Sequence, residues 1–204
     1  KKSAEKSAPA APAAKATAAS GFQFNPGDRV AIVGNGLADR MQHHGWLETL
    51  IVAKYPKHNL VFRNLATAAD DVGGFLNKVA KGDEALRNRS ENFGSNDKWL
   101  TDVKADVVFA FFGYNESFDN KPDEYKKLLV DFVNRTRGSK ANGKSFPRIV
   151  LFSPIAHEDT RNPNVPDGKS HNAQLEAYTK ATEAAAKEAG VAFVDLFHPS
   201  LELY

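Results

Sequence analysis

The chain has 204 residues, 42% hydrophobic and 25% charged, which suffices for one domain with a substantial core and is short for two. Its formal charge of +2 resides in the first twenty residues, where Lys1, Lys2, Lys6 and Lys15 face only Glu5, so the remainder lacks the basic stripe that nucleic acid requires. The absence of cysteine excludes a thiol nucleophile, a thiolate metal site and a disulfide, and no apolar run is long enough to insert into a bilayer.

Residues 1–24 read as a disordered linker, because an Ala-, Lys-, Pro- and Ser-rich stretch has too few large apolar groups to offset its ordering entropy. A Lys-Ala-Pro segment of this kind often follows a removed export signal, which gives the expectation of an exported protein, periplasmic or at the cell surface. The folded domain is expected over residues 25–204. From Asp28 onward, short apolar runs alternate with amphipathic stretches in the manner of βαβ units. Strand one is expected over 29–34, with a helix over 37–55 stopped by Pro56. Strand two, over 60–64, is followed by a polar stretch and a weaker helix near 74–85. Strand three, over 107–112, is continuously apolar, as a strand covered on both faces should be.

The next helix carries Pro122 in its first turn, Asp123 and Glu124 beside it, and an apolar face of Tyr125, Leu128, Leu129, Phe132 and Val133. Strand four over 149–153, an Ala-rich helix over 172–189 ended by Gly190, and strand five over 191–196 complete the pattern. Right-handed crossovers then predict a three-layer α/β/α sandwich around a flavodoxin-like parallel sheet, strand order 2-1-3-4-5. Ligands bind such sheets beyond the carboxyl ends of the strands. Asn35-Gly36, residues 64–71, residues 113–117 and residues 154–159 therefore converge on one crevice.

Four short blocks lie on or near that edge. Strand one ends in the elbow Gly34-Asn35-Gly36-Leu37, and strand two leads into Asn64-Leu65-Ala66-Thr67-Ala68-Ala69-Asp70. Strand three ends in Gly113-Tyr114-Asn115-Glu116, and Asp195-Leu196-Phe197-His198 follows strand five. Together these blocks resemble those of the SGNH (GDSL-type) ester hydrolases. In that family strand one ends in Gly-Asp-Ser-Leu, so the resemblance makes Gly36 a vacated nucleophile position that retains its backbone N–H, next to Asn35. Both glycines of the family's second block are alanine here, Ala66 and Ala69; if position 69 needs a positive φ, alanine is strained there. The third block is intact, and the resemblance makes Asn115 an oxyanion donor.

Asp195 and His198 have the Asp-x-x-His spacing of the family's orienting acid and general base. Two readings stay open. Either they are that pair, or Asp195 is the acidic residue that ends strand five and the chain stops before the last block. Longer strings, including Met41 to Glu48, Arg89 to Gly94, Phe111 to Phe118 and Ser153 to Glu158, resemble the SGNH-like region near the amino end of large planctomycete-type proteins labelled membrane-bound dehydrogenases, which can carry c-type haem. No Cys-x-x-Cys-His occurs in this chain, and no cofactor is expected for it.

The remaining candidates are weaker. Adjacent histidines His43 and His44 point to different sides of a helix and cannot make an i, i+4 metal pair, so no metal site is expected. His157 and Glu158, beyond strand four, are ligand-binding candidates with Asn35, Asn64, Ala69 and Glu116; a polar loop is the plainer reading of them. Ser117 lacks the sharp elbow of a nucleophile. Asp39 and Asn64 break the dinucleotide fingerprint that Gly34-Asn35-Gly36 opens. The expected function is a degenerate, non-catalytic SGNH-like module that binds a small ester, a carbohydrate or other domains of a larger protein; the alternative is an active esterase of carbohydrate-deacetylase type.

Overall fold

The apolar runs of the sequence become the strands of one parallel sheet. The computed structural model describes residues 21–75 and 96–204. Strands β1 (Arg29–Gly34), β2 (Val61–Asn64), β3 (Val107–Phe111), β4 (Arg148–Phe152) and β5 (Ala192–Val194) lie in the order β2-β1-β3-β4-β5, as the sequence predicts. All four pairings are parallel, with Ile32 opposite Phe109 and Phe109 opposite Val150 across the centre.

The helices in chain order are α1 (Gly36–Arg40), α2 (Trp46–Lys54), α3 (Val72–Phe75), α4 (Asn96–Asp102), α5 (Pro122–Arg137), α6 (Lys169–Ala189) and α7 (Phe197–Leu203), with a 3₁₀ turn at Glu116–Asp119. Successive strand residues face opposite layers. Ala31, Val33, Val108, Ala110, Ile149 and Leu151 meet Leu129, Phe132 and Val133 of α5 and Tyr178, Ala181 and Ala185 of α6. Ile32, Phe109, Phe111 and Phe152 face the other way, under Leu37, Leu47 and Ile51 of α1 and α2. This two-sided cover explains why the central strands read as unbroken apolar runs. Among the described residues, no helix is long and apolar enough to cross a membrane.

Four expectations are corrected. The helix expected over 37–55 is two helices, with His43, His44 and Gly45 in the break; Gly45 is a poor helix former, and the break lets Leu37 and Met41 reach the sheet together with Leu47 and Ile51. Phe22 and Phe24, expected in the linker, pack against Phe109 at ring distances of 6.2 and 6.1 Å, so the packed body begins before residue 25. Strand five is shorter than expected because the Leu196 N–H bonds the Ser153 hydroxyl at 2.8 Å instead of continuing the ladder. Helices α4 and α7 were not anticipated; both are single short segments without a long amphipathic period. Most of the helix expected near 74–85, and the string Arg89 to Gly94, lie outside the described residues.

The elbow after β1 has a steric origin. Gly34 sits at φ +131°, and a Cβ built there would lie 2.1 Å from the Phe111 carbonyl oxygen. That carbonyl accepts the Asn35 N–H at 3.0 Å, so β1 is pressed against β3 where the chain turns into α1. Only glycine permits the approach.

Candidate functional site

The carboxyl ends of β1, β3 and β4 open onto a cleft of about 520 Å³. Of the residues singled out from the sequence, Asn35, Gly36, Ala69, Asn115, His157 and Glu158 line it. A larger groove of about 900 Å³ runs past Arg148, Ile149, Val191 and Ala192, at the beginnings of β4 and β5. Parallel sheets bind at the other edge, where side chains and free backbone groups from successive loops converge, so the smaller cleft is the candidate site.

Gly36 opens α1, and a Cβ built on it meets nothing within 4 Å. Asn35 beside it is buried, 3% exposed, and makes no side-chain cap to the helix. Ala69 lies across the cleft in the left-handed region at φ 61°. The condition raised by the sequence is therefore met: this position demands a positive φ, and alanine occupies it at a cost of roughly 1 kcal/mol. Ala69→Gly is expected to stabilise the domain by about 0.5–1 kcal/mol, less than the full strain because glycine also loosens the unfolded chain. A urea midpoint for the variant at or below the parent's would contradict this account. Neither the Gly36 nor the Ala69 N–H bonds to another described residue.

The Asn115 side-chain amide donates to the Asp70 carbonyl at 2.6 Å, which leaves its second N–H for the cleft. Glu116 does not face the cleft. It is 9% exposed, and its two oxygens accept the Val72 and Gly113 N–H groups at 2.8 Å each, tying the turn after β3 to α3. Burial pushes its carboxyl up to about 7 against the pull of these donors, with the Asp71 charge adding to the rise. Asn64 is likewise a brace: its amide donates to the Ala38 carbonyl at 2.7 Å and its oxygen accepts the Ala66 N–H at 2.9 Å. Both were named as ligand-binding candidates; their polar atoms hold loops together.

Asp195 and His198 do form a carboxylate–imidazole pair, Nδ1 to Oδ2 at 2.5 Å. The pair sits at the start of α7, the His198 side chain is 51% exposed, and neither residue lines the cleft. A second arrangement escaped the sequence altogether. His171 Nε2 lies 3.1 Å from Ser117 Oγ, and its Nδ1 lies 3.1 Å from Gln174 Oε1. Ser117 is fully buried, and its hydroxyl lies 2.6 Å from the Tyr114 carbonyl as well as beside His171. Neither residue is on the lining of the cleft, so this contact stands apart from the candidate site. Burial, and more weakly His157, lowers the His171 pKa, while Gln174 opposes the shift.

His157 is fixed at the cleft by Asn172, which accepts its N–H at 2.7 Å and donates to its carbonyl at 3.1 Å. Its ring packs closely over Gly168, where a Cβ would lie 2.7 Å from the His157 ring. Ser153 also borders the cleft, but its hydroxyl donates to the Pro154 carbonyl and accepts the Leu196 and Phe197 N–H groups. Arg40 and Tyr204 complete the lining, and sequence reasoning missed both. Arg40 was within reach of it, since it stands four residues after Gly36 and thus on the same helix face. Tyr204 directly follows α7, whose docking only the tertiary structure shows; its phenol is pushed up by burial and by Glu158.

No family model and no curated protein matches the chain by sequence. Solved structures do resemble it. A gut microbial diltiazem-metabolizing enzyme superposes with a TM-score of 0.62 at 18% identity, over 89% of this chain and 39% of that one, so the chain spans well under half of that protein. A catalytic mutant of an acetylxylan esterase from Geobacillus stearothermophilus gives 0.61 at 16% identity, over 89% of this chain and 82% of the other. A GDSL-like lipase from Parabacteroides merdae gives 0.55 at 14%, over 84% and 78%. The fold is SGNH-hydrolase-like.

In this SGNH-like frame the elbow position holds Gly36, which has no side chain to attack an acyl carbon. Three potential donors to an anionic oxygen border the cleft: the Gly36 N–H, the Ala69 N–H and the Asn115 amide. The site can hold a polar group in place, but Gly36 offers no hydroxyl and that of Ser153 is taken up by neighbouring backbone groups.

Proposed function

We propose that this chain is an SGNH-like binding module with a degenerate ester-hydrolase site. The observation that carries the reading is Gly36 at the tip of the elbow, with Ser153 fully engaged and the Asp195–His198 pair outside the cleft lining. Removing one member of a working triad still leaves roughly 10³–10⁴-fold catalysis over water; here the elbow has no side chain, the Asp195–His198 pair is off the lining, and the second block carries strain at Ala69. The competing reading, an active ester hydrolase of carbohydrate-deacetylase type, draws support from the esterases and lipases that share the fold. The resemblance of several sequence strings to planctomycete-type proteins, and the Ala-, Lys- and Pro-rich composition of residues 1–20, favour a domain of a larger exported protein whose cleft meets a small ester, a carbohydrate or a neighbouring domain.

The test is hydrolysis of short-chain nitrophenyl esters and acetylated sugars by the parent and by Gly36→Ser. Open space around position 36 means that the variant folds with an unchanged thermal midpoint. Neither protein is expected to turn over ester above the background rate. Activity of the parent that disappears in Asn115→Ala would sink the non-catalytic reading; activity gained in Gly36→Ser would show that a base reaches the elbow, and would return His198 and Asp195 to consideration.

A further inference from the structure

We propose that the cleft recognises a small carboxylate with an apolar body, such as a short-chain fatty acid. The proposal rests on the reading of the cleft as a binding site, and it identifies the ligand class from the lining. Two features are independent of each other. The first is an unopposed cation. Arg40 ends α1 exposed at the cleft, four residues beyond Gly36 and so on the same helix face, and makes no ion pair with another described residue. The second is a donor set on the same cleft. The Asn115 amide retains one N–H after bonding the Asp70 carbonyl, and the Ala69 N–H is held by a residue kept in a conformation alanine disfavours.

A carboxylate offers about four lone-pair sites and accepts such donors more strongly than a neutral carbonyl does. Gly36 supplies the room. Where a larger residue would project a side chain there is open space, so an anionic oxygen can approach Asn115 from the elbow. Most of the remaining wall is apolar, with Leu37, Phe111, Phe112, Pro154, Ile155 and Ala156 from three neighbouring strand ends, and its polar members include His157 and Tyr204. This suits an acyl chain better than a sugar, whose hydroxyls would need partners on every side. Glu158 is the acidic side chain on the lining; it is exposed and comes from the end of β4, two strands away from the β1 end that carries Arg40. A carboxylate seated between Arg40 and Asn115 therefore leaves Glu158 at the far rim.

The experiment titrates the full chain with sodium hexanoate and, separately, with hexanamide, its neutral counterpart of equal length, by calorimetry or amide chemical shifts at pH 7.5. Hexanoate is expected to bind saturably and about tenfold more tightly than hexanamide, the preference a charge-assisted contact confers. Arg40→Gln, a change at an exposed position, is expected to remove that preference without moving the thermal midpoint. Gly36→Leu, which fills the open space, is expected to abolish hexanoate binding. Equal affinities for acid and amide, no saturable binding of hexanoate, or a preference that survives Arg40→Gln would each overturn the proposal. A parallel incubation with nitrophenyl hexanoate separates it from the reading beneath it. Turnover would overturn the non-catalytic reading, whereas charge-independent binding without turnover would overturn carboxylate recognition alone.

Discussion

Gly34→Ala is expected to lower the thermal midpoint by roughly 8–16 °C, the fall that a loss of about 4 kcal/mol produces in a domain of this size. The cause lies at the β1–β3 contact. The new Cβ would stand 2.1 Å from the Phe111 carbonyl oxygen, a backbone atom that cannot swing aside as a flexible side chain would. The φ of +131° is itself costly for any L side chain, at about 1–3 kcal/mol, and the overlap adds a displacement of similar cost. Relief requires β1 to move away from β3, which weakens the Asn35 to Phe111 hydrogen bond and shifts the elbow. Gly36→Ala, two residues on, is the internal control. Its Cβ meets nothing, so its midpoint stays near the parent's. Scanning calorimetry of the two variants decides the matter; equal midpoints would mean that the close approach does not constrain the fold.

Glu116→Ala is expected to cost about 3 kcal/mol near pH 5, because it strips the acceptors from two backbone donors, Val72 N–H and Gly113 N–H, at the buried junction of α3 with the β3 turn. The parent itself carries a pH signature from this residue. Burial pushes its carboxyl from the ordinary 4.5 up to about 7 in the fold, so between these limits the folded state binds more protons than the unfolded one. Stability from this group is complete below pH 4.5 and is lost as pH rises to about 7, by up to roughly 3 kcal/mol. His171 works in the opposite direction. Its lowered pKa favours the neutral ring, so its contribution grows as pH rises toward 6.5. The difference between parent and Glu116→Gln isolates the carboxyl. Urea unfolding at pH 5, 6, 7 and 8 should show a decline in the parent that is absent from Glu116→Gln. Parallel pH profiles would remove Glu116 as its source.

The residues of the cleft were legible to different degrees, for physical reasons. Gly36, Asn115 and Ala69 stand at strand ends, and a parallel sheet gathers its strand ends along one edge, so pattern and topology together predicted their convergence. Asn64 and Glu116 stand on the same edge and were read the same way, yet they brace loops. Whether a polar side chain faces the cleft or a neighbouring backbone N–H depends on χ angles and loop paths that spacing does not encode. Asp195 and His198 show the converse: their i, i+3 spacing ensures that they can meet, and they do, but where the pair points was set by how α7 docks. His171 lies 54 residues from Ser117, and no local pattern could have joined them.

By itself the sequence determined the parallel five-stranded sheet, its strand order and the edge on which polar loops gather, because burial on both faces writes unbroken apolar runs and crossover handedness leaves few topologies. It also determined that the elbow lacks a nucleophile, since glycine cannot be one in any fold. The tertiary structure alone decided that Ala69 is strained, that Glu116 and Asn64 turn inward, that Asp195 and His198 lie off the cleft and that Tyr204 lies on it. These outcomes depend on backbone angles and contacts between distant segments, which are settled only when the layers pack.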